Sequence, residues 1–279
     1  MTSESVDRLH RAVSDDGTEI VGRVSGQGPP LVLVHGSMDD GADWAALLPL
    51  LVERFTCYVP STRFRGLSGR HPNLSTERRV QDVTAFADSI GEPVGLVGLS
   101  AGGMLVLGAA VRARAVSAVA AYEPLAVEVM PDQLLAELRD RLVRMGEAAA
   151  RGKPVDAARI FMELVANDEE LAAVTGAGGL EQVARYLPID LLELQEIITG
   201  GPSPTDPRVL EQITASVLLL RGTRSAQTWF TDSVGHVAQH TPDAGIREIA
   251  GAGHLGPLTA PDAVASELVG FFEQRTKPL

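Results

Sequence analysis

The chain has 279 residues, enough for one large domain or one domain carrying an insertion. It is 45% hydrophobic but only 4% aromatic, so its core must be built from Val, Leu, Ala and Ile, which suits buried parallel strands faced by small-residue helices. With 36 acidic against 24 basic residues and no basic run longer than Arg78-Arg79, it offers no nucleic-acid surface, and no apolar stretch is long enough to span a membrane.

Cys57 is the only cysteine, so an internal disulfide is excluded and a reducing cytosol suits the chain. The first residues, MTSESVDRLHRAVSDDGTE, contain no apolar segment of the kind a signal peptide needs. The expectation is a cytoplasmic protein without membrane or nucleic-acid partners, a monomer or homodimer acting on a small molecule.

Asp15-Asp16-Gly17 is a hairpin signal, with an edge strand over Thr18–Val24. Leu31–Val34 is a buried strand leading into His35-Gly36-Ser37. Helical periodicity over Asp43–Val52 puts Trp44, Leu47, Leu48 and Leu51 on one face. A strand follows at Phe55–Val59. The next helix, Thr76–Ile90, has Ser75 or Thr76 as its cap and Gly91 as its stop.

Val94, Gly95, Leu96 and Val97 read as a short buried strand, and Met104–Ala113 as a helix. Between them lies Gly98-Leu99-Ser100-Ala101-Gly102, a G-x-S-x-G turn. A serine at the tip of such a strand-to-helix turn has strained dihedrals, and the two glycines avoid Cβ clashes across it. The geometry exposes the Ser100 hydroxyl beside the first free N–H groups of the helix, Ala101 foremost. A strand at Val116–Ala121 ends in Tyr122-Glu123-Pro124.

From Leu125 to about Arg208 no strand run occurs, only helical segments at 131–150, 155–165, 169–174 and 189–199 broken by Gly and Pro. A single crossover needs only about a dozen residues, so this stretch reads as an inserted helical cap. The alternation then resumes with strand 217–220, helix 226–240, strand 245–249 and helix 261–272, before a polar tail from Glu273. The fold class expected is α/β, an open and mostly parallel sheet flanked by helices. Residues 1–124 and 208–279 form its core, and residues 125–207 form the cap.

A serine becomes a nucleophile only beside a base, which in turn needs a third group to orient it. Of the six histidines, His254 stands in the glycine-rich loop GAGHLGP at 251–257, directly after a strand, where one side chain can reach back over the C-terminal strand ends. It is the candidate general base. His10, His71, His236 and His240 lie in polar or solvated settings, and His35 reads as a satisfied turn residue. The oxyanion hole is assigned to the backbone N–H groups of Ala101 and Ser37, with Met38 as the fallback for the second. No His/Cys/Asp cluster has metal-ligand spacing and no G-x-G-x-x-G loop occurs, so neither cofactor nor metal is expected.

HGS at 35–37, GLSAGG at 98–103 and GAGHLGP at 251–257, in that order, resemble the α/β-hydrolase superfamily, specifically its serine-nucleophile, capped, esterase-like members. The resemblance covers about 31–124 and 208–273. It implies a carboxylic ester hydrolase acting through an acyl-enzyme; the apolar residues of the cap, Met130, Leu134, Leu138, Phe161 and Leu194 among them, suggest a small, largely apolar substrate. A lyase or C–C bond hydrolase using the same triad, or a non-catalytic binder of a small ligand, is the alternative.

Two departures stand out. The family acid usually ends a pattern like L-x-G-x-x-D, whereas this chain has Ser225 at the end of LRGTRS. Some relatives place the acid after the strand that follows the elbow helix, where Glu123 stands, 23 residues beyond Ser100; Asp232 and Asp243 compete with it. The loop after Val59 also departs from the family's D-x-R-G-x-G-x-S form, with Thr62 in place of the acid. Ser100, rather than an aspartate, argues against haloalkane dehalogenase or epoxide hydrolase chemistry.

Overall fold

The apolar runs form the middle of an eight-stranded sheet in a computed structural model that describes residues 8–176, 178–199, 201 and 203–275. In chain order its elements begin with β1 (Arg8–Val13), β2 (Glu19–Gly26), β3 (Pro30–Val34), α1 (Leu48–Leu51), β4 (Thr56–Pro60) and α2 (Thr76–Ser89). Then come β5 (Val94–Leu99), α3 (Ala101–Ala110), β6 (Val116–Tyr122), α4 (Asp132–Ala150), α5 (Pro154–Val165), α6 (Asp168–Gly176), α7 (Gly179–Ala184) and α8 (Leu187–Thr199). The chain closes with α9 (Pro207–Leu210), β7 (Ser216–Gly222), α10 (Trp229–His240), β8 (Ala244–Ile249), α11 (Gly256–Thr259) and α12 (Pro261–Glu273).

The strand order is β1-β2-β4-β3-β5-β6-β7-β8. β2 pairs antiparallel with β1 and β4, and every other neighbouring pair is parallel. β3 and β5 are buried at every residue, as strands covered by helices on both faces must be. Two apolar clusters sandwich the sheet. One joins α2, α3 and α10 to one face through Val80, Phe86, Leu105 and Phe230, and the other joins α12 to the opposite face through Leu268 and Phe272.

From β4 the chain crosses over β3 to build β5 on its other side. The winding direction therefore reverses between β3 and β5, and open sheets keep their binding crevice outside the strand ends at such a point. The loops that follow these two strands carry Ser37 and Ser100.

Among the described residues, no strand lies between β6 and β7. Helices α4 to α8 fill that interval and gather their own apolar cluster around Met145, Phe161, Met162 and Leu187, to which the core adds Met38 and Leu255. No helix of the described residues is long and apolar enough to cross a membrane.

Four local expectations change. The periodic segment 43–52 is not one helix: Pro49 supplies no N–H, and i→i+3 turns at Ala45 and Leu47 precede the single turn of α1. Its apolar face is still used, since Trp44, Leu47 and Leu51 are buried. α3 starts at Ala101 rather than Met104, immediately after the elbow serine, and α10 starts at Trp229 rather than Ala226. The glycine-rich interval after α6 contains a further helix, α7, which opens from Gly178 in the left-handed region at φ 69°. The end of the polar tail, 276–279, and parts of the Gly/Pro linker, 200 and 202, lie outside the described residues.

Candidate active site

Ser100 sits between β5 and α3 with φ 54° and ψ −118°, a backbone state that costs a residue with a Cβ about 1–3 kcal/mol. The surrounding backbone holds it there. Its N–H donates to Tyr122 O, and its carbonyl accepts from the N–H groups of Met104 and Leu125. Two residues away on either side, the turn tolerates no side chain. A Cβ on Gly98 would stand 2.3 Å from Gly102 O, and one on Gly102 2.2 Å from Val34 O. The glycine spacing thus lets the elbow press against β3.

His254 and Glu123 meet across the ends of β6 and β8. His254 Nδ1 lies 2.7 Å from Glu123 Oε2, with both side chains almost completely buried. A carboxylate oxygen only accepts, so Nδ1 carries the proton, and Nε2 is the ring nitrogen left for other work. The other carboxylate oxygen, Oε1, accepts from Gly222 N–H at 2.9 Å and from the Ser225 hydroxyl. Ser225, which ends the LRGTRS segment, is thus a donor to this carboxylate. Glu123 itself adopts φ 41°, and its N–H donates to Leu220 O, which turns the side chain back over the sheet.

The loop bearing His254 is pinned on several sides. Tyr122 Oη donates to Gly253 O at 2.6 Å, Gly251 N–H donates to Thr223 Oγ1, and Leu255 N–H donates to Glu170 Oε1 at 2.7 Å. The Phe230 ring stacks on the imidazole, with centroids 4.0 Å apart and planes 16° from parallel. Burial pushes the Glu170 carboxyl above its ordinary range, although the amides of Asn167 and Leu255 work against that shift.

Ser100 and His254 line the same cavity, of about 630 Å³, within the usual range of small-molecule clefts. No hydrogen bond joins the Ser100 hydroxyl to His254 among the described residues; such contacts commonly tighten only when substrate is bound.

On the β3 side, neither Ser37 N–H nor Ala101 N–H donates to a protein acceptor among the described residues. The fallback donor, Met38 N–H, is not free. It points at Asp190 Oδ1 at 2.8 Å, with Met38 itself at φ 62°. His35 is a buried pin. Its Nδ1 donates to Gly36 O and its Nε2 accepts from Thr62 N–H, while burial lowers its pKa and keeps it neutral. Asp232 is exposed on α10. Asp243 accepts from Ser216 at the start of β7, at the opposite end of the strands from His254. His236 is bound to Thr205 O.

A buried ion cluster fastens helix α8 to the loop after β4. Arg65 donates to Asp190 Oδ1 at 2.6 Å and to both oxygens of Glu193 at 2.8 and 2.9 Å, and Arg79 stands 3.3 Å from Glu193. Burial pushes Asp190 up to about 6 against the pull of Arg65. Burial acts on Glu193 in the same sense, but the Arg79 and Arg65 charges outweigh it and hold Glu193 below its ordinary value. Asp190 therefore ties the inserted helices to the backbone of the 35–38 loop.

Replacing Arg65 by Met strands the buried Asp190 without its cation and leaves Glu193 with Arg79 alone. It is expected to cost about 3–5 kcal/mol of stability, read as a lower denaturant midpoint at unchanged slope. A loss below about 1 kcal/mol would show that the cluster holds nothing together.

Sequence reading did not find Arg65, Asp190, Glu193 or Glu170. A signal was present for the second and third: Leu187, Asp190, Glu193, Leu194 and Ile197 recur at helical spacing, which places two acids on the buried stripe of α8.

Residues 31–267 match the alpha/beta hydrolase family. Among solved structures, an alpha/beta hydrolase from Sphaerobacter thermophilus is 29% identical at a TM-score of 0.73, with 94% of this chain and 100% of that one covered. A thermophilic esterase from Thermogutta terrifontis is 20% identical at a TM-score of 0.77, covering 97% and 100%. The enol-lactonase from Burkholderia xenovorans is 21% identical at 0.75, covering 95% and 100%. No curated protein matches. The match runs from the first residue after Pro30 of β3 to the middle of α12, taking in the elbow, Glu123 and the histidine loop alike, and the chain belongs to the alpha/beta hydrolase family.

Proposed function

We propose that this hydrolase is a serine esterase that cleaves a carboxylic ester of a small, largely apolar molecule through an acyl-enzyme. The observation that carries the reading is the 2.7 Å contact from His254 Nδ1 to a buried Glu123, beside a serine held at φ 54° in the same cavity. In the proposed mechanism His254 Nε2 takes the Ser100 proton as Oγ attacks the ester carbonyl. The N–H groups of Ser37 and Ala101 receive the oxyanion. His254 then returns the proton to the leaving alkoxide, and water attacks the acyl-enzyme by the same route in reverse. Glu123 holds the imidazole in the tautomer the cycle needs and offsets its positive charge.

Residues 125–207 serve in this reading as a cap. Phe161, Met162 and Val165 from α5 roof the cavity over Ser100 and favour a small substrate over a polymer that needs an open groove. Two neighbours in fold, an esterase and an enol-lactonase, act on ester bonds by their names, which agrees with this chemistry.

The test is covalent labelling. A fluorophosphonate should modify the native protein once, on the peptide carrying Ser100, and heat-denatured protein should not react. Failure of the native protein to label means that base and oxyanion donors do not act together, and a ligand-binding role would replace the enzymatic one.

A further inference from the structure

Ser100 opens onto two spaces of very different size. The wide one, about 630 Å³, is lined by His254 together with Asn167, Glu170, Gln182 and Thr259. The narrow one, about 40 Å³, is almost wholly apolar; Met130, Leu134, Leu138, Leu164, Trp229 and Phe230 wall it. Ser37 and Ser100 border both, as do Phe161 and Val165, so a carbonyl bound at the elbow has both spaces within reach. His254 borders only the wide one. Phe230, which also walls the narrow space, is stacked on the imidazole. The Trp229 indole is fixed by a hydrogen bond from Nε1 to Ala126 O at 3.1 Å, so the narrow wall does not yield easily.

The direction of the ester follows from proton bookkeeping. When the tetrahedral intermediate collapses, the bond between carbonyl carbon and ester oxygen breaks, and that oxygen must take a proton from His254 Nε2. The leaving alcohol therefore lies on the side that His254 faces, and the acyl chain lies on the other. Resting on the serine-esterase reading, we propose that the narrow pocket is the acyl site and the wide cavity the alcohol site, so that the preferred substrates are short-chain acyl esters of bulky alcohols. A single water needs about 10–15 Å³ by the same measure, which gives the narrow pocket room for about three carbon-sized groups. Acyl groups from acetyl to butyryl fit it, while longer chains meet Leu134 and Leu138. After the alcohol departs, the wide cavity admits the water that completes the hydrolysis, and one acid and one alcohol leave for each ester and water consumed.

Two isomeric esters separate the two directions without changing composition: 2-naphthylmethyl acetate carries its bulk on the alcohol, and methyl 2-naphthylacetate carries it on the acid. The purified full-length protein should hydrolyse the first with a kcat/KM at least ten times that of the second. In a benzyl ester series, butyrate should exceed octanoate at least tenfold. Leu134, only partly buried on α4, provides a variant that leaves the fold in place: Leu134→Ala should raise the octanoate-to-butyrate ratio at least fivefold, and Leu134→Trp should depress butyrate while sparing acetate.

A ratio below ten for the isomers, or octanoate matching butyrate, overturns the assignment. So does hydrolysis of neither isomer by protein whose Ser100 still labels with a fluorophosphonate, an outcome that leaves the serine chemistry standing. Loss of labelling itself would instead remove the reading on which the assignment rests.

Discussion

Ser100→Ala is expected to lower kcat on any turned-over ester by about four to six powers of ten while leaving the fold intact, because a triad acts as a unit and its nucleophile has no substitute. The two halves of this expectation rest on different observations. Activity falls because no other hydroxyl or thiol stands at the elbow. Stability holds because the Ser100 side chain makes no cap hydrogen bond to α3, and alanine presents the same Cβ to the same backbone. The unfolding midpoint should stay within about 0.5 kcal/mol of the parent.

Glycine at this position gives a sharper result. Because φ 54° with ψ −118° is a state that glycine reaches without a Cβ clash, Ser100→Gly should be as inactive as alanine yet about 1 kcal/mol more stable than the parent, after the entropy that glycine loses on folding. A rate within tenfold of the parent for either variant, measured on the best ester and with contaminating esterase excluded by fluorophosphonate titration, would refute the assignment of the nucleophile.

The strain at Ser100 was legible in the sequence because the residues that permit it are adjacent to it. Glycines at 98 and 102 have no other use at a strand-to-helix junction than to let backbone approach backbone. The strands were legible for a similar local reason: Leu31–Val34 and Val94–Val97 are unbroken apolar runs bounded by turn residues. What the sequence did not disclose depends on contacts between distant segments. Arg65 and Glu193 are 128 residues apart, and nothing local to either foretells that they meet in the interior. The loop after β4 carries Thr62 where the family form has an acid. In the structure, Thr62 N–H serves His35, its hydroxyl accepts from Arg65, and Arg63 is paired bidentately with Asp82, so the loop is fixed by other means. The segment 43–52 misled for a simpler reason. Its apolar periodicity correctly marks a buried face, but periodicity does not register that Pro49 removes a donor.

Glu123→Gln is the substitution that tests how the proposed catalytic histidine is supported, and it is expected to reduce kcat by about two to four powers of ten with KM little changed. The argument follows from what surrounds the carboxylate. Oε1 accepts from Gly222 N–H and from the Ser225 hydroxyl, while Oε2 accepts from His254 Nδ1, so every neighbour of this carboxylate donates. An amide cannot satisfy all three. If its oxygen turns to Gly222 and Ser225, its NH2 faces His254 and forces the proton onto Nε2, the nitrogen that must accept from Ser100. If its oxygen turns to His254, the NH2 faces the backbone N–H of Gly222, which has nowhere to rotate, and a buried donor is left unpaired at a cost of about 1–3 kcal/mol. The first arrangement removes the base, and the second removes stability as well as the negative charge that offsets the imidazolium. Ser225 can give up its bond to Glu123 by rotating, so Ser225→Ala should cost less than about tenfold in rate. The ordering Glu123→Gln far below Ser225→Ala in kcat, with both variants still binding a substrate-like inhibitor, is the outcome expected when the carboxylate and not its neighbour supports the histidine. Full activity in Glu123→Gln would return the role to another acid. Asp232 is exposed on α10 and Asp243 is held by Ser216 at the opposite end of the strands, so the acid to test next would be Glu170, whose carboxylate accepts from the Leu255 N–H beside His254 and interacts with the imidazole.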